Sequence, residues 1–482
     1  MTRIRIVLST LGGLLLVFSF SLVPALCISV LYHDGEMRHL LPSLIITAGL
    51  GLILRLAASP HKFVLRTRDG FLVVSLLWIV MGLLGSLPFV FGLKIPLADA
   101  VFEAVSGFTT TGATVLEGLD RMAPSILFYR QEIQWLGGIG VIVSAIAFMP
   151  MLRVGGMQLL RAEVSGPIKD DKLMPRMEQT ARRLLGIYVI LTSVCAALYW
   201  MAGMSPFDAV AHSLATLSTG GLSTHDASFG YFNSPMIELI AIVFMLLGAI
   251  GMNTHYFALG RTRIDHYWRN TETRVFLIVT FVAIVIATLQ LHFGLANQPL
   301  AHSIRLAAFE TVSVMTTTGF GIDDFSLWPH ELPIMLIMIS FIGGCAGSTA
   351  GGMKVIRFIV LGKQGWAELI RLVHPRIVLV LKLDGKALSG DVLKSIWAFF
   401  ALYVATASIV LLLLMSDGLD MITAFGAVAA CLNNLGPGLG KVANTFASVD
   451  AFSKWLLSLT MILGRLEIFT MLVLLAPAFW RE

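Results

Sequence analysis

The sequence predicts an all-α polytopic membrane protein, built from four parallel units of long helix, short helix, glycine loop and long helix around one axis, after two extra N-terminal helices. Three observations predict this class. Of 482 residues, 57% are hydrophobic and only 13% charged, with a mean hydropathy of +0.84, whereas a soluble domain clothes itself with about 25% charged residues. Apolar runs of about 20 residues, the length that crosses a bilayer as a helix, recur from end to end. A Thr/Ser/Asn/Gly burst recurs four times at a spacing of about a hundred residues, the signature of an internal repeat. Together these exclude a secreted enzyme, a nucleic-acid binder and a disordered scaffold. The net charge of +5 is read across the bilayer instead.

In chain order, spans are expected at 4–31, 38–57, 69–90, 130–152, 183–201, 235–259, 273–293, 331–361, 391–414 and 453–479. The first is too long for a signal-peptide core and lacks a clear small-residue cleavage site, so it is expected to stay as a helix. Between spans lie shorter segments at 98–108, 206–217, 302–315 and 420–432. Each is about three turns, too short to cross a hydrocarbon core of about 30 Å. Each runs into a burst, at 106–114, 217–224, 315–321 and 432–439, centred on Gly112, Gly220, Gly319 and Gly436. The expected organisation is a two-helix extension over 1–58 and repeats over 59–172, 173–268, 269–380 and 381–482.

Most of the 34 Lys and Arg fall on the side opposite the bursts, notably in the connections 153–183 and 354–394. The positive-inside rule then puts the bursts outside and both termini in the cytoplasm. Acidic residues show the opposite bias and raise the local cation concentration at the outer mouth.

A short helix followed by an extended glycine loop cannot face lipid, because its backbone lacks partners there. Irregular backbone at membrane depth is tolerated where it is buried or lines a watery cavity. Four such units around one axis make a pore. Glycine lets carbonyl oxygens adopt the conformations a ligand ring needs. Threonine hydroxyls add oxygens, and each short helix aims its negative C-terminal end at the site. Carbonyl rings replace the hydration shell of a desolvated cation. The bursts hold no repeated carboxylate, which disfavours an acidic ring for divalent ions.

Two further features stand out. The last helix of the third repeat is interrupted by the run 343–352, five glycines among ten small residues, a composition that favours a flexible non-helical segment over a stiff helix. Close packing through small residues is the alternative. Lacking a terminal GK[ST], it is not a phosphate loop. Arg465 stands in an apolar stretch expected to be one helix, at about mid-depth. A cation there costs about 2.5 to above 10 kcal/mol and must face a cavity or a partner.

Other signals are bland. Cys27, Cys195, Cys345 and Cys431 are single and predict neither disulfides nor a zinc site. His225, His255 and His292 show no metal spacing. The run 137–140 lacks the strand context of a dinucleotide fold. No convergent nucleophile, base or metal set points to an enzyme. A coupled symporter built from broken helices is the competing class, but such folds use inverted repeats, and these units run parallel.

The four bursts, with Thr-Thr-Thr-Gly in the first and third, resemble the Trk/Ktr/HKT superfamily of potassium transporters, and within it the membrane subunit of bacterial Trk, over essentially the whole chain. The resemblance implies four helix–pore-helix–filter-loop–helix repeats around one K+-selective pore in the bacterial inner membrane. It implies filter residues Thr110, Thr111, Gly112 and Ala113; Ser218, Thr219, Gly220 and Gly221; Thr317, Thr318, Gly319 and Phe320; and Asn434, Leu435, Gly436 and Pro437. It makes the glycine run an intramembrane gate under the filter, with Gly343, Gly344, Gly347, Ser348, Thr349, Gly351 and Gly352 facing Arg465. K+ is then the transported ion, with no organic cofactor and no nucleic acid. The expected partners are a second copy in a homodimer and TrkA-type cytoplasmic nucleotide-binding subunits. Glycine at all four central positions goes with potassium in that superfamily.

Overall fold

The computed structural model describes residues 2–57, 67–147, 173–260, 265–294, 298–329 and 331–481. The expected boundaries at 58/59 and 172/173, and most of the basic connection 153–183, lie outside the described residues.

Among the described residues six helices are long and apolar enough to cross a membrane: Ile4–Tyr32, Met37–Ala57, Arg68–Leu93, Gln179–Met201, Thr271–Gly294 and Gly390–Ser416. Two expected continuous spans are instead broken. Pro235–Ala249 bends by 99° into Met252–Ala258, and Ala451–Arg465 bends by 107° into Phe469–Leu475. Hydropathy does not register a break entered through an apolar residue, so Ile250 and Leu466 read as continuous helix. The glycine run breaks the third such helix as expected, leaving Leu332–Ile342 and Val355–Val373. The helix Pro124–Ala147 fills the remaining expected span.

The four short helices are Leu97–Phe108, Pro206–Leu217, Leu300–Met315 and Met421–Leu432. Their starts are written locally. Pro96 and Pro299 immediately precede the first and third. Pro206 opens the second, whose Ser205 side chain accepts the Asp208 amide hydrogen. Asp420 accepts that of Thr423 in the fourth. Such caps satisfy donors that a helix leaves orphaned. Almost every residue of 98–108 is buried, and most of 423–432 likewise. A helix buried all round lies in the interior.

The core forms around these helices. One apolar cluster joins the first and fourth segments through Phe102, Val428, Phe446 and Leu457. Another joins the second and third through Phe229, Phe309 and Phe320, with the Phe229 and Phe320 rings 4.4 Å apart. The N-terminal helices dock on the outside of the first segment, Phe18 meeting Phe108 edge-on at 5.1 Å.

Candidate functional site

Each short helix ends in the same backbone turn. Thr110, Thr219, Thr317 and Asn434 adopt left-handed φ of 51°, 51°, 53° and 53°. The next residue, Thr111, Gly220, Thr318 or Leu435, donates its N–H to the carbonyl five residues back, at 2.8–2.9 Å. Then comes a glycine at φ of 78–100°: Gly112, Gly221, Gly319 and Gly436. This fixes the register and corrects one expectation. The counterpart of Gly112 in the second segment is Gly221, not Gly220. Two adjacent glycines made that choice ambiguous by spacing alone. β-Branched residues rarely enter the left-handed region, so three threonines held there at equivalent places mark backbone strain kept for a purpose.

The four segments close a ring. A Cβ added to Gly112 would lie 2.2 Å from the Gly220 carbonyl oxygen, one on Gly221 1.9 Å from that of Thr318, one on Gly319 2.1 Å from that of Leu435, and one on Gly436 2.7 Å from that of Thr111. Each glycine therefore meets the next segment's carbonyl, and the fourth returns to the first. Above the ring opens a cavity of about 400 Å³, lined by Gly112, Ala113, Gly221, Gly319, Phe320, Gly436 and Pro437 among others. Gly220, Ser218 and the three left-handed threonines do not line it. Among the described residues no group of three or more His, Cys, Asp or Glu is placed to hold a metal ion.

Side chains that the sequence reading passed over brace the ring. Seven residues before each left-handed position stand Glu103, His212, Glu310 and Ala427. Glu103 accepts from the Val115 amide at 3.0 Å and from Arg130 Nε at 2.8 Å. His212 Nε2 pairs with Ser223 Oγ at 2.9 Å. Glu310 Oε1 accepts from the Ile322 and Asp323 amides at 2.7 and 3.1 Å. Gln134 Nε2 donates to the Gly220 carbonyl at 2.5 Å while its Oε1 accepts from Leu222 N. The readable signal was a titratable side chain at the same offset in three of the four short helices.

Arg130 and Glu103 are both fully buried. Removing one partner of such a pair strands the other charge and costs about 3–5 kcal/mol. Arg130→Ala is therefore expected to lower the melting temperature of the detergent-solubilised protein sharply. Replacing both partners with apolar residues of similar size should lower it less. Scanning fluorimetry checks both.

At the cavity wall, His225 bridges the first two segments, with Nδ1 2.5 Å from Asp120 and Nε2 3.4 Å from Asp208. Burial lowers the His225 pKa, but hydrogen bonds to Asp208 and Asp120 outweigh it and the net shift is upward.

Below the ring lies the glycine run, folded as an irregular loop against the bent second helix. The break after Ala249 strands the last carbonyls of Pro235–Ala249, and the loop supplies donors. Cys345 N bonds to Ala249 O at 2.9 Å, and Thr349 N bonds to Gly248 O at 3.3 Å. The two irregular segments satisfy each other, as membrane-depth backbone must. The loop also touches the ring's underside. Gly351 N donates to Thr317 Oγ1 at 2.6 Å, Gly352 N to Asn433 O at 3.0 Å, and Thr349 Oγ1 to Leu217 O at 2.9 Å. Gly351 is required by this approach, since a Cβ there would fall 1.9 Å from Asn433 O. Gly343, Gly347 and Gly352 hold left-handed φ. Gly344 packs on Ala249, and Ser348 Oγ bonds back to Cys345 O. Glu272, also unforeseen, holds the loop's shoulder by accepting from Ala346 N at 2.7 Å.

Arg465 is the last residue of Ala451–Arg465, not a mid-helix residue as expected. The chain turns there through left-handed Glu467 and Ile468. Its Nη1 donates to Thr349 O at 2.7 Å, while Nε and Nη2 are buried without partners among the described residues. Glu467 pairs with Arg357 instead. Among the described residues no carboxylate pairs with Arg465. A buried cation thus faces the loop, under the ring.

Comparison with known proteins gives consistent results. The family model described as "TrkH: Cation transport protein" matches residues 39–482. The Trk system potassium uptake protein TrkH of Halomonas elongata is 45% identical over 481 residues, covering 99% of this chain and all of that protein. The protein of the same name from Escherichia coli K12 is 46% identical, covering 99% of each. The crystal structure of the potassium transporter TrkH from Vibrio parahaemolyticus superposes with a TM-score of 0.92 at 44% identity, covering 99% of this chain and all of that one.

Proposed function

Because the chain belongs to the TrkH family of cation transport proteins, we propose that it takes up K+ through the ring-lined axis, with the glycine loop as its gate. The observation that carries this reading is the closed ring of four glycines and four carbonyls. Backbone oxygens at such a ring replace water around a dehydrated monovalent cation, and four half-helix C-terminal ends add negative potential. The ligands are the carbonyls and hydroxyls of 110–113, 219–222, 317–320 and 434–437, with Gly221 as the second segment's central glycine. The four segments act as pore repeats and 1–58 as an outer extension. The bursts face the outside of the bacterial inner membrane and both termini the cytoplasm, in keeping with the bias of basic residues toward the opposite connections.

The loop 343–352 blocks the axis from below by its bonds to Thr317, Asn433 and Leu217. Cytoplasmic nucleotide-binding subunits of the TrkA type, acting on a homodimer, control it. The name "Trk system" carried by the relatives supports a multi-subunit assembly. The basic connection around 354–394, continuous with the loop, gives such a partner a handle.

Uptake of radioactive rubidium into liposomes holding only this protein tests the reading. Accumulation driven by an outward potassium gradient, without any proton or sodium gradient, is expected. Uptake that requires a proton or sodium gradient would establish a coupled symporter instead. Shortening 343–352 by several residues is expected to raise basal rubidium flux severalfold. Flux at the wild-type level in a folded variant would make the segment packing material.

A further inference from the structure

The bracing row within the short helices is electrically uneven. In the first segment Glu103 is neutralised by Arg130. In the second the position is His212, and in the fourth Ala427. In the third it is Glu310, 1% exposed, lining the cavity above the ring. Only its Oε1 accepts from the backbone. Its Oε2 has no protein hydrogen bond among the described residues, and no basic side chain pairs with it. The fold normally neutralises a buried carboxylate or leaves it protonated, since burial of an unpaired charge is costly. Here the free oxygen adjoins the path by which an ion reaches Gly319 and Phe320.

Resting on the uptake reading above, we propose that Glu310 is an outer cation site of the pore, at which an incoming K+ and a proton compete before the ion enters the ring. The surrounding charges leave that role to Glu310. Arg130, across the cavity, is committed to Glu103 and the Ser223 carbonyl. Arg305 on the same helix is held by Glu238 of Pro235–Ala249. On Thr271–Gly294, Glu272 binds the gate loop, Gln290 meets Glu331 from the start of Leu332–Ile342, and His292 meets the Gln298 carbonyl. The groups facing Glu310 are acids, Asp323 and Asp324, with His225 and Asp226 on the far wall. Burial, opposed by the two amide bonds and aided by Asp323 and Asp324, pushes the Glu310 carboxyl up to about 8. A cation in the cavity favours the ionised form and pulls that value down.

The sign follows. Above the raised pKa the carboxylate is charged and draws K+ in; as outside pH falls through it, the site fills with a proton. The test measures rubidium uptake into proteoliposomes against external potassium at pH 6.5 and 8.5. For the wild type, acid should raise the half-saturating potassium while the maximal rate is kept. Glu310→Gln retains the acceptor for Ile322 and Asp323 but loses the charge. At pH 8.5 it should need about tenfold more potassium, the low end of what focused charge achieves in a cleft, and at pH 6.5 it should match the wild type. Glu310→Asp should keep the pH dependence. His225 also titrates at this wall, so its effect appears equally in wild type and Gln variant and cancels in the comparison. Equal half-saturation of wild type and Gln at both pH values would overturn the proposal. So would an equal loss at both pH values with a lowered melting temperature, which would make Glu310 a brace alone. If Glu310→Gln does not fold, a wild-type half-saturation that ignores pH overturns it. A wild type without any uptake would instead remove the pore reading on which it rests.

Discussion

Gly221→Ala is expected to cut potassium flux by about tenfold or more, a change worth about 1.4 kcal/mol or more in the barrier, and to lower selectivity over sodium in what remains. The added Cβ would sit 1.9 Å from the Thr318 carbonyl oxygen at a residue with φ of 78°. Left-handed backbone alone costs an L-residue about 1–2 kcal/mol, and the clash is with backbone that cannot step aside. The third segment's ring carbonyl must move, and with it the geometry to which the proposed function assigns discrimination between ions. Gly220→Ala is the control. The three atoms nearest its Cβ all belong to the Gln134 side chain, at 2.4 Å or more, rather than to backbone, so a milder loss is expected. Gly112→Ser repeats the first effect in the first segment, at 2.2 Å from the Gly220 oxygen. Reversal potentials in mixed potassium and sodium rank the three. If Gly220→Ala proved the more damaging, the register argued from the backbone would be wrong.

Arg465→Ala is expected to open a partner-free leak. At about 5 Å and an effective dielectric constant of about 20, the guanidinium raises the energy of a passing K+ by roughly 3 kcal/mol, of order a hundredfold in rate. The substitution also removes the bond to the Thr349 carbonyl that holds the loop. Because no carboxylate pairs with Arg465 among the described residues, Ala strands no acid, and the melting temperature should change little. Lys should retain much of the block through its charge but lose the guanidinium whose Nη1 reaches the Thr349 carbonyl. Flux per folded molecule for wild type, Ala and Lys separates these effects. An Ala variant with wild-type flux and a clear fall in melting temperature would make Arg465 structural.

Much of this was legible in the sequence, and particular residues show why some was not. The long spans and short helices follow from hydropathy and length, which burial in lipid enforces directly. The four bursts follow from glycine and threonine, whose conformational roles are local. The bend at Ile250 and Gly251 was invisible because its cause is distant: the loop at 345–349 takes up the carbonyls that the break releases. The end of the helix at Arg465 was hidden for the same reason, since Leu466 and Ile468 look helical until the left-handed turn is seen. The register of Gly220 and Gly221 was undecidable by spacing, and the backbone turn together with the ring contacts resolves it. Gln134 and Glu272 escaped notice because each acts on a segment remote in sequence, and Glu103 and Glu310 because each reaches backbone amides beyond the glycine turn of its own segment.

The central claim is that the four-glycine ring is a potassium-selective path in this chain alone. The most direct measurement is the reversal potential of the purified protein in a planar bilayer, with potassium on one side and sodium on the other, using the Arg465→Ala form so that no partner is needed. The account predicts a current whose reversal lies close to the potassium equilibrium potential, and which loses that preference when Gly221→Ala is added. A current that reverses near zero in the parent form, or that keeps its selectivity after Gly221→Ala, would contradict it.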